Sequence, residues 1–225
     1  MSSTAISKLP YAEGLITVEG GEGVGKSTVI GVMRRVLASH GVEVVLTREP
    51  GGTKTGEQLR EILLSHRDCP LDPNTELLMM FAARAQHIAE VIQPALVRGA
   101  YVICDRFTDS SFAYQGGGRG VDYERIMELE RQFVGFRPAL TLLLDAPVEV
   151  SRVRTAGRGG APDRIESEGD DFFTRVRDVF LARAEAEPQR VKIINSDRQY
   201  QVVIEEVERT VRAYMARTLA SRHVA

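Results

Sequence analysis

The stretch VEGGEGVGKST, Val18–Thr28, decides the fold. Before it stands LITVE (Leu15–Glu19), a short run with β-branched residues that reads as a strand. After it, KSTVIGVMRRVLASH spaces its apolar residues by three and four and stops at Gly41, as an amphipathic helix with a glycine cap does. Between the two, Gly20, Gly25, Lys26 and Ser27 satisfy GxxxxGK[ST]. The glycines let backbone N–H groups converge on phosphate oxygens, and the helix N-terminus adds about half a positive charge. Lys26 can reach the β- and γ-phosphates, and the Ser27 hydroxyl suits a Mg²⁺ ion. A nucleoside triphosphate is therefore expected on Gly20, Gly21, Glu22, Gly23, Val24, Gly25, Lys26, Ser27 and Thr28. An ATPase, a nucleotide switch and a kinase all remain open at this point.

Outward from the loop, strand-like and helix-like runs alternate to the end of the chain. VEVVLT, AYVICD, ALTLLLD and VKIIN supply four further strands, mostly apolar rather than alternating, as strands buried on both faces are. The predicted class is α/β: a P-loop NTPase with a five-stranded parallel sheet and helices on both faces. A helix is predicted over Asn74–Gln93, with Asn74 as N-cap and Pro94 marking a kink or end. DSSFAYQ reads as helical and GGGRG after it as a glycine loop, while Pro147 opens a further helix. Gly157–Gly169, GRGGAPDRIESEG, is polar and glycine-rich and reads as a mobile flap. With no repeat or linker, residues 1–225 are expected to form one domain.

The 225 residues suffice for one sizeable core, and 43% hydrophobic with 27% charged residues is ordinary for a globular chain. A formal charge of −2 offers no polybasic surface for nucleic acid or anionic lipid. The N-terminal residues lack the basic-then-apolar pattern of a signal peptide, and no run approaches a membrane span. Cys69 and Cys104 have no metal-ligand spacing, which suits a reducing compartment. A cytoplasmic location is expected.

Three features should lie outside the carboxyl ends of the strands, where a second substrate binds. They are TREPGG (Thr47–Gly52), DRFTDSSFAYQGGGRG (Asp105–Gly120) and the helix carrying Arg84 and Gln86. Arg48, Arg84 and Arg106 are candidate planar forks for a phosphate or a base edge. Asp105 is followed by RFT rather than DxxG, and no NKxD occurs, which lowers the GTPase reading. The four histidines share no spacing that suggests catalysis.

TREPGG, the strand-end DRF, AYQGGGRG and the flap GRGGAPDRIE, in this order behind GGEGVGKST, resemble the bacterial thymidylate kinase family over nearly the whole chain. The resemblance implies a nucleoside monophosphate kinase fold and transfer of the γ-phosphoryl of ATP to dTMP with Mg²⁺, in a homodimer. It implies that Glu22 serves the sugar 3′-hydroxyl and metal region, that Arg48 and Arg106 hold the acceptor phosphate, and that Arg84 reads the thymine edge. Ser111 and Gln115 then approach the base, Tyr114 crowds the sugar 2′ position, and Asp105 joins Ser27 in the metal shell. The family commonly stacks thymine on a phenylalanine four residues before that arginine. Here the position is Met80, so either Phe81 swings in or Met80 makes a softer contact. Members without a basic residue in the P-loop carry an arginine in the flap, and Arg158 is the candidate among Arg152, Arg154, Arg158 and Arg164. Lys26, Arg158, Glu22 and Arg106 are thus the expected catalytic set. The competing readings are a kinase for another small acceptor, with Glu49 as base to a hydroxyl, and a non-catalytic nucleotide switch.

Overall fold

The computed structural model describes residues 9–66, 68–157, 159 and 161–222. Strands β1 (Tyr11–Glu19), β2 (Val44–Arg48), β3 (Tyr101–Asp105), β4 (Arg137–Asp145) and β5 (Val191–Asn195) pair in parallel in the order β2-β3-β1-β4-β5. Between and after them run α1 (Lys26–Ala38), α2 (Lys54–Leu64), α3 (Pro73–His87), α4 (Gln93–Val97), α5 (Thr108–Ser111), α6 (Tyr123–Leu129), α7 (Val148–Ala156), α8 (Asp170–Ala186) and α9 (Tyr200–Arg222).

A parallel sheet has two apolar faces to cover, and alternate side chains of β1 show which helices cover them. Ile16 and Val18 face a layer from α1 and α9, including Met33, Leu37, Val207 and Met215. Leu15 faces the other way, onto Phe81 of α3, Ile92 and Phe107. A third cluster joins α8, through Phe172, Val176 and Phe180, to Leu143 and Tyr114.

Register sets the level at which the loops begin. Val18 of β1 and Arg48 of β2 both pair with Asp105 of β3, so three strands deliver their carboxyl ends side by side. Strand order reverses at β1, which makes this edge the crevice for a ligand.

Three local expectations are modified. Asp72, not Asn74, caps α3: its carboxylate accepts from the N–H groups of Asn74 and Thr75 at 2.9 and 3.2 Å, with Pro73 in the first turn. The break expected at Pro94 is a π turn over Ile88–Ile92, after which α4 carries the proline in its own first turn, where no N–H is needed. The expected glycine loop is instead the end of a π-helical segment, Phe112–Gly118. A Cβ on Gly117 would lie 2.6 Å from Val179, and one on Gly118 2.4 Å from Phe172. These glycines let α8 close on the segment.

Candidate active site

The phosphate loop is shaped by contacts that only glycine allows. Gly20 has φ +130°, and a Cβ there would meet the Leu144 carbonyl oxygen at 2.3 Å. Val24 points its side chain into the core, so its backbone alone is available to phosphate. Lys26 Nζ donates to the Gly21 carbonyl at 2.7 Å and to that of Gly20 at 3.3 Å. Burial, and then the charge of Arg106, lower its pKa, against an opposing pull from Glu22.

Arg106 joins this loop to the segment after β3. Its Nη1 donates to the Gly20 carbonyl at 2.9 Å and to Ser110 Oγ at 3.2 Å, while Nη2 pairs with Glu22. The guanidinium lies over the Tyr114 ring, 4.9 Å from its centroid. Burial alone would lower the Arg106 pKa, but Glu22 and the other acidic neighbours outweigh it and hold the group charged. Arg106 also has φ +68°, a left-handed conformation rare for a side-chain-bearing residue and concentrated at functional sites.

A cavity of about 440 Å³ opens at this edge, a size typical of small-ligand sites. Its lining includes Glu22, Gly23, Gly25, Lys26 and Ser27 of the phosphate loop, Arg48 and Arg60, and Met80, Arg84, Ser111, Tyr114 and Gln115. Asp105 and Arg106 also line it, as do Asp163, Ile165 and Glu166 of the flap. Arg84 is buried, bonded to Glu49 Oε2 at 2.6 Å, Ser111 Oγ at 3.0 Å and the Phe107 carbonyl at 3.1 Å. Gln115 donates to Glu76 at 2.9 Å.

Phe81 is the expected substrate residue that the fold sends elsewhere. It is 3% exposed, packed in the core, with Arg84 stacked 4.7 Å from its ring centroid; Met80 lines the cavity in its place. Helical spacing allows both residues near Arg84, and the apolar stripe of α3 draws Phe81 inward. Thr28 is exposed on α1, and Gly20 and Gly21 lie on the side of the loop toward α7 and α8. Arg158 lies outside the described residues. Of the other candidates, Arg152 and Arg154 lie on α7, paired with Asp170 and with Asp197 and the Ser196 carbonyl, and Arg164 of the flap pairs with Glu76 at 2.7 Å.

Sequence reasoning missed Arg60, which reads as the solvated face of a helix. Burial, then repulsion from Arg48, lower its pKa against opposing pulls from Glu57 and Asp163, and it lines the cavity together with Arg48 and Arg106. Glu76 was missed too: although 1% exposed, it gathers Gln115, Arg119 and Arg164.

Glu19, at the end of β1, is fully buried, accepting from the Phe107 N–H at 2.7 Å and Ser110 Oγ at 2.6 Å. Burial, then the charge of Asp109, push its carboxyl up to about 7, although Ser110, Arg106 and the Phe107 N–H oppose the rise. With the folded value above the unfolded one, the native chain binds more protons between them, so this group's contribution to stability is lost as pH rises from about 4.5 to 7. The Glu19→Gln variant should therefore show a Tm that declines less than that of the wild type across about pH 5 to 7. Calorimetry over that range checks this; parallel Tm curves would exclude a titrating Glu19.

A family model described as thymidylate kinase matches residues 18–207. A thymidylate kinase of Chromohalobacter salexigens is 52% identical over 208 residues, covering 92% of this chain and 96% of that one. The chain belongs to the thymidylate kinase family. A second such relative, from Alkalilimnicola ehrlichii, is 48% identical over 206 residues, covering 91% of this kinase and 95% of the relative. A crystal structure of thymidylate kinase from Ehrlichia chaffeensis superposes with a TM-score of 0.71 at 34% identity, covering 88% of the kinase described here and 97% of the other chain.

Proposed function

We propose that this kinase transfers the γ-phosphoryl of ATP to dTMP, giving dTDP and ADP. The observation that carries the reading is one cavity lined both by the phosphate loop and by Arg48, Arg60 and Arg106. A charged acceptor suits that cluster better than a neutral nucleoside does. Arg84, which also lines the cavity, offers N–H donors suited to a carbonyl edge such as thymine O4. Ser111, Tyr114 and Gln115 are placed at the nucleoside in this reading, and Met80 is the apolar contact to the base.

A monophosphate dianion is already nucleophilic, so the work of the protein is positioning and charge neutralisation, not deprotonation. Lys26 and Arg106 supply fixed positive charge to the phosphates, and Glu22 holds Arg106 in place. Asp105 Oδ1 is buried and has no hydrogen-bond partner among the described residues, and the cavity also reaches the Ser27 hydroxyl. These hard oxygen donors fit a Mg²⁺ ion, which when bound would neutralise phosphate charge. On the family resemblance the flap arginine of this reading is Arg158. The homodimer belongs to the proposal on the family resemblance. Among the described residues no helix is long and apolar enough to cross a membrane, and a cytoplasmic location completes the reading.

ADP release with ATP and Mg²⁺ across dTMP, dUMP, UMP, AMP, CMP, GMP and thymidine tests the proposal. Fast turnover with dTMP alone is expected. Preference for another acceptor would overturn the substrate assignment, and nucleotide binding without acceptor-dependent turnover would favour a switch.

A further inference from the structure

Behind Arg84 stands a side chain that lines no part of the cavity. His87 is 0% exposed and follows Arg84 by three residues, on the same face of α3. Its Nδ1 lies 3.0 Å from Glu49 Oε1, and its Nε2 lies 2.5 Å from Thr47 Oγ1. A carboxylate only accepts, so Nδ1 carries a proton to Glu49, and Nε2 shares a hydrogen bond with the Thr47 hydroxyl. The other oxygen of Glu49 accepts from Arg84 Nε at 2.6 Å. A continuous chain of hydrogen bonds therefore runs from Thr47 through His87 and Glu49 to Arg84.

The loop after β2 is built around this histidine. A Cβ on Gly52 would lie 2.7 Å from two atoms of the His87 ring and 2.8 Å from Thr47 Oγ1. Thr47, Glu49 and Gly52 of TREPGG thus converge on His87, while Arg48 pairs with Glu57, and both Arg48 and Glu49 line the cavity.

The same region brings ligand atoms of Glu49, His87 and Cys104 within 4.8 Å of one another. It does not suit a metal. Both histidine nitrogens and both carboxylate oxygens are engaged, and Arg84 already sets a cation against Glu49. Burial raises the Cys104 thiol well above its ordinary range, and its Sγ donates to the Arg106 carbonyl.

We infer that His87 is a positioning residue for acceptor recognition: by anchoring the second oxygen of Glu49 it fixes the plane of the Arg84 guanidinium against the base. Arg84 has five N–H donors, and three are committed to Glu49, Ser111 and the Phe107 carbonyl. The two that remain have a useful direction only if the fork cannot turn. The rings of Phe81 and Phe107, at 4.7 and 5.5 Å, restrict its tilt, and Glu49 restricts rotation within that slot. Without His87, the Glu49 carboxylate would be held from one side only. The inference rests on the proposal that dTMP is the acceptor.

The test compares wild type, His87→Phe and His87→Gln in steady-state assays with dTMP, dCMP and ATP, together with Tm. Phenylalanine keeps the ring volume without polar atoms, and glutamine keeps a donor toward Glu49. His87→Phe is expected to raise KM for dTMP about tenfold, the loss of one hydrogen-bonded anchor, with KM for ATP and kcat within about twofold. The preference for dTMP over dCMP, whose amino group replaces the thymine carbonyl, should narrow, and His87→Gln should restore part of both. Thr47→Val breaks the far end of the chain without changing shape and should move the same parameters in the same direction if His87→Phe fails to fold. An unchanged KM for dTMP in a folded variant, or KM for both substrates and kcat shifting together, overturns the inference alone. A wild type that does not phosphorylate dTMP overturns the proposed function and this inference with it.

Discussion

Arg106→Ala is expected to lower kcat about 10³-fold while leaving the chain folded. The guanidinium bridges the Gly20 carbonyl and Glu22 of the phosphate loop to Ser110 behind the acceptor region, so it can meet charge on both sides of the transferring group. Its partners are already in place, so no reorganisation is needed when that charge develops. Stability should change much less than rate. Glu22 retains 25% exposure of its side chain and can be solvated when its partner is lost, and alanine keeps the same left-handed strain at φ +68°. Arg106→Gly separates the two effects: it removes the charge and also the strain, and should match alanine in rate while exceeding it in Tm. Arg106→Lys should recover only part of the rate, because an ammonium replaces the charge but not the planar fork. Steady-state kinetics with both substrates saturating checks this; a folded alanine variant with kcat within about tenfold of wild type would remove Arg106 from the catalytic set.

The largest stability effect is expected from Asp109→Ala. Asp109, on α5, is 2% exposed and takes a two-pronged bond from Arg190 at 2.6 and 2.9 Å and another from Arg183 at 2.5 Å. Arg190 also reaches Thr141, which bonds Thr17 at 2.8 Å, so one network ties the segment after β3 to α8, β4 and β1. Removing the carboxylate leaves Arg183 without its carboxylate partner and the buried Arg190 with Glu187 alone, a change that typically costs about 3–5 kcal/mol. For a chain of this size that is about 10 °C or more in Tm, measurable by calorimetry. The pH dependence follows the same contact. Burial alone would raise the Asp109 pKa, but Arg183 and then Arg190 outweigh it and hold it below the usual carboxylate range. Its stabilisation is therefore present above the unfolded pKa and lost as pH falls through the lower folded value, and Asp109→Asn should show a shallower acid decline of Tm. A Tm for Asp109→Ala within about 2 °C of wild type would show that the network contributes little.

The strands and the phosphate loop are legible in the chain because their signals are local. An apolar run, a glycine with φ +130° and a lysine at the start of a helix need only their neighbours to be read. The helix over Asn74–Gln93 was harder. Asp72 competes with Asn74 for the cap, and Pro94 is reconciled by a π turn over Ile88–Ile92 that no local signal in the sequence marks. The run Gly116–Gly118 carries the compositional mark of a loop, yet it is a packing surface, Gly116 against Tyr123 of α6, Gly117 against Val179 and Gly118 against Phe172 of α8. Arg60, Glu76 and His87 were unreadable for the same reason: a charged or imidazole side chain on a helix looks solvated until another element covers it.

The sequence by itself determined the sheet, the phosphate loop and the resemblance that led to the family, since backbone conformation and motif spacing are properties of short segments. Only the tertiary structure decided that Phe81 leaves the cavity to Met80, and that Glu49 and His87, 38 residues apart, share one proton-bearing contact. It alone decided that Asp109 holds an arginine 81 positions away. Such buried polar groups acquire their roles from desolvation, because only a side chain removed from water must find its partner within the protein.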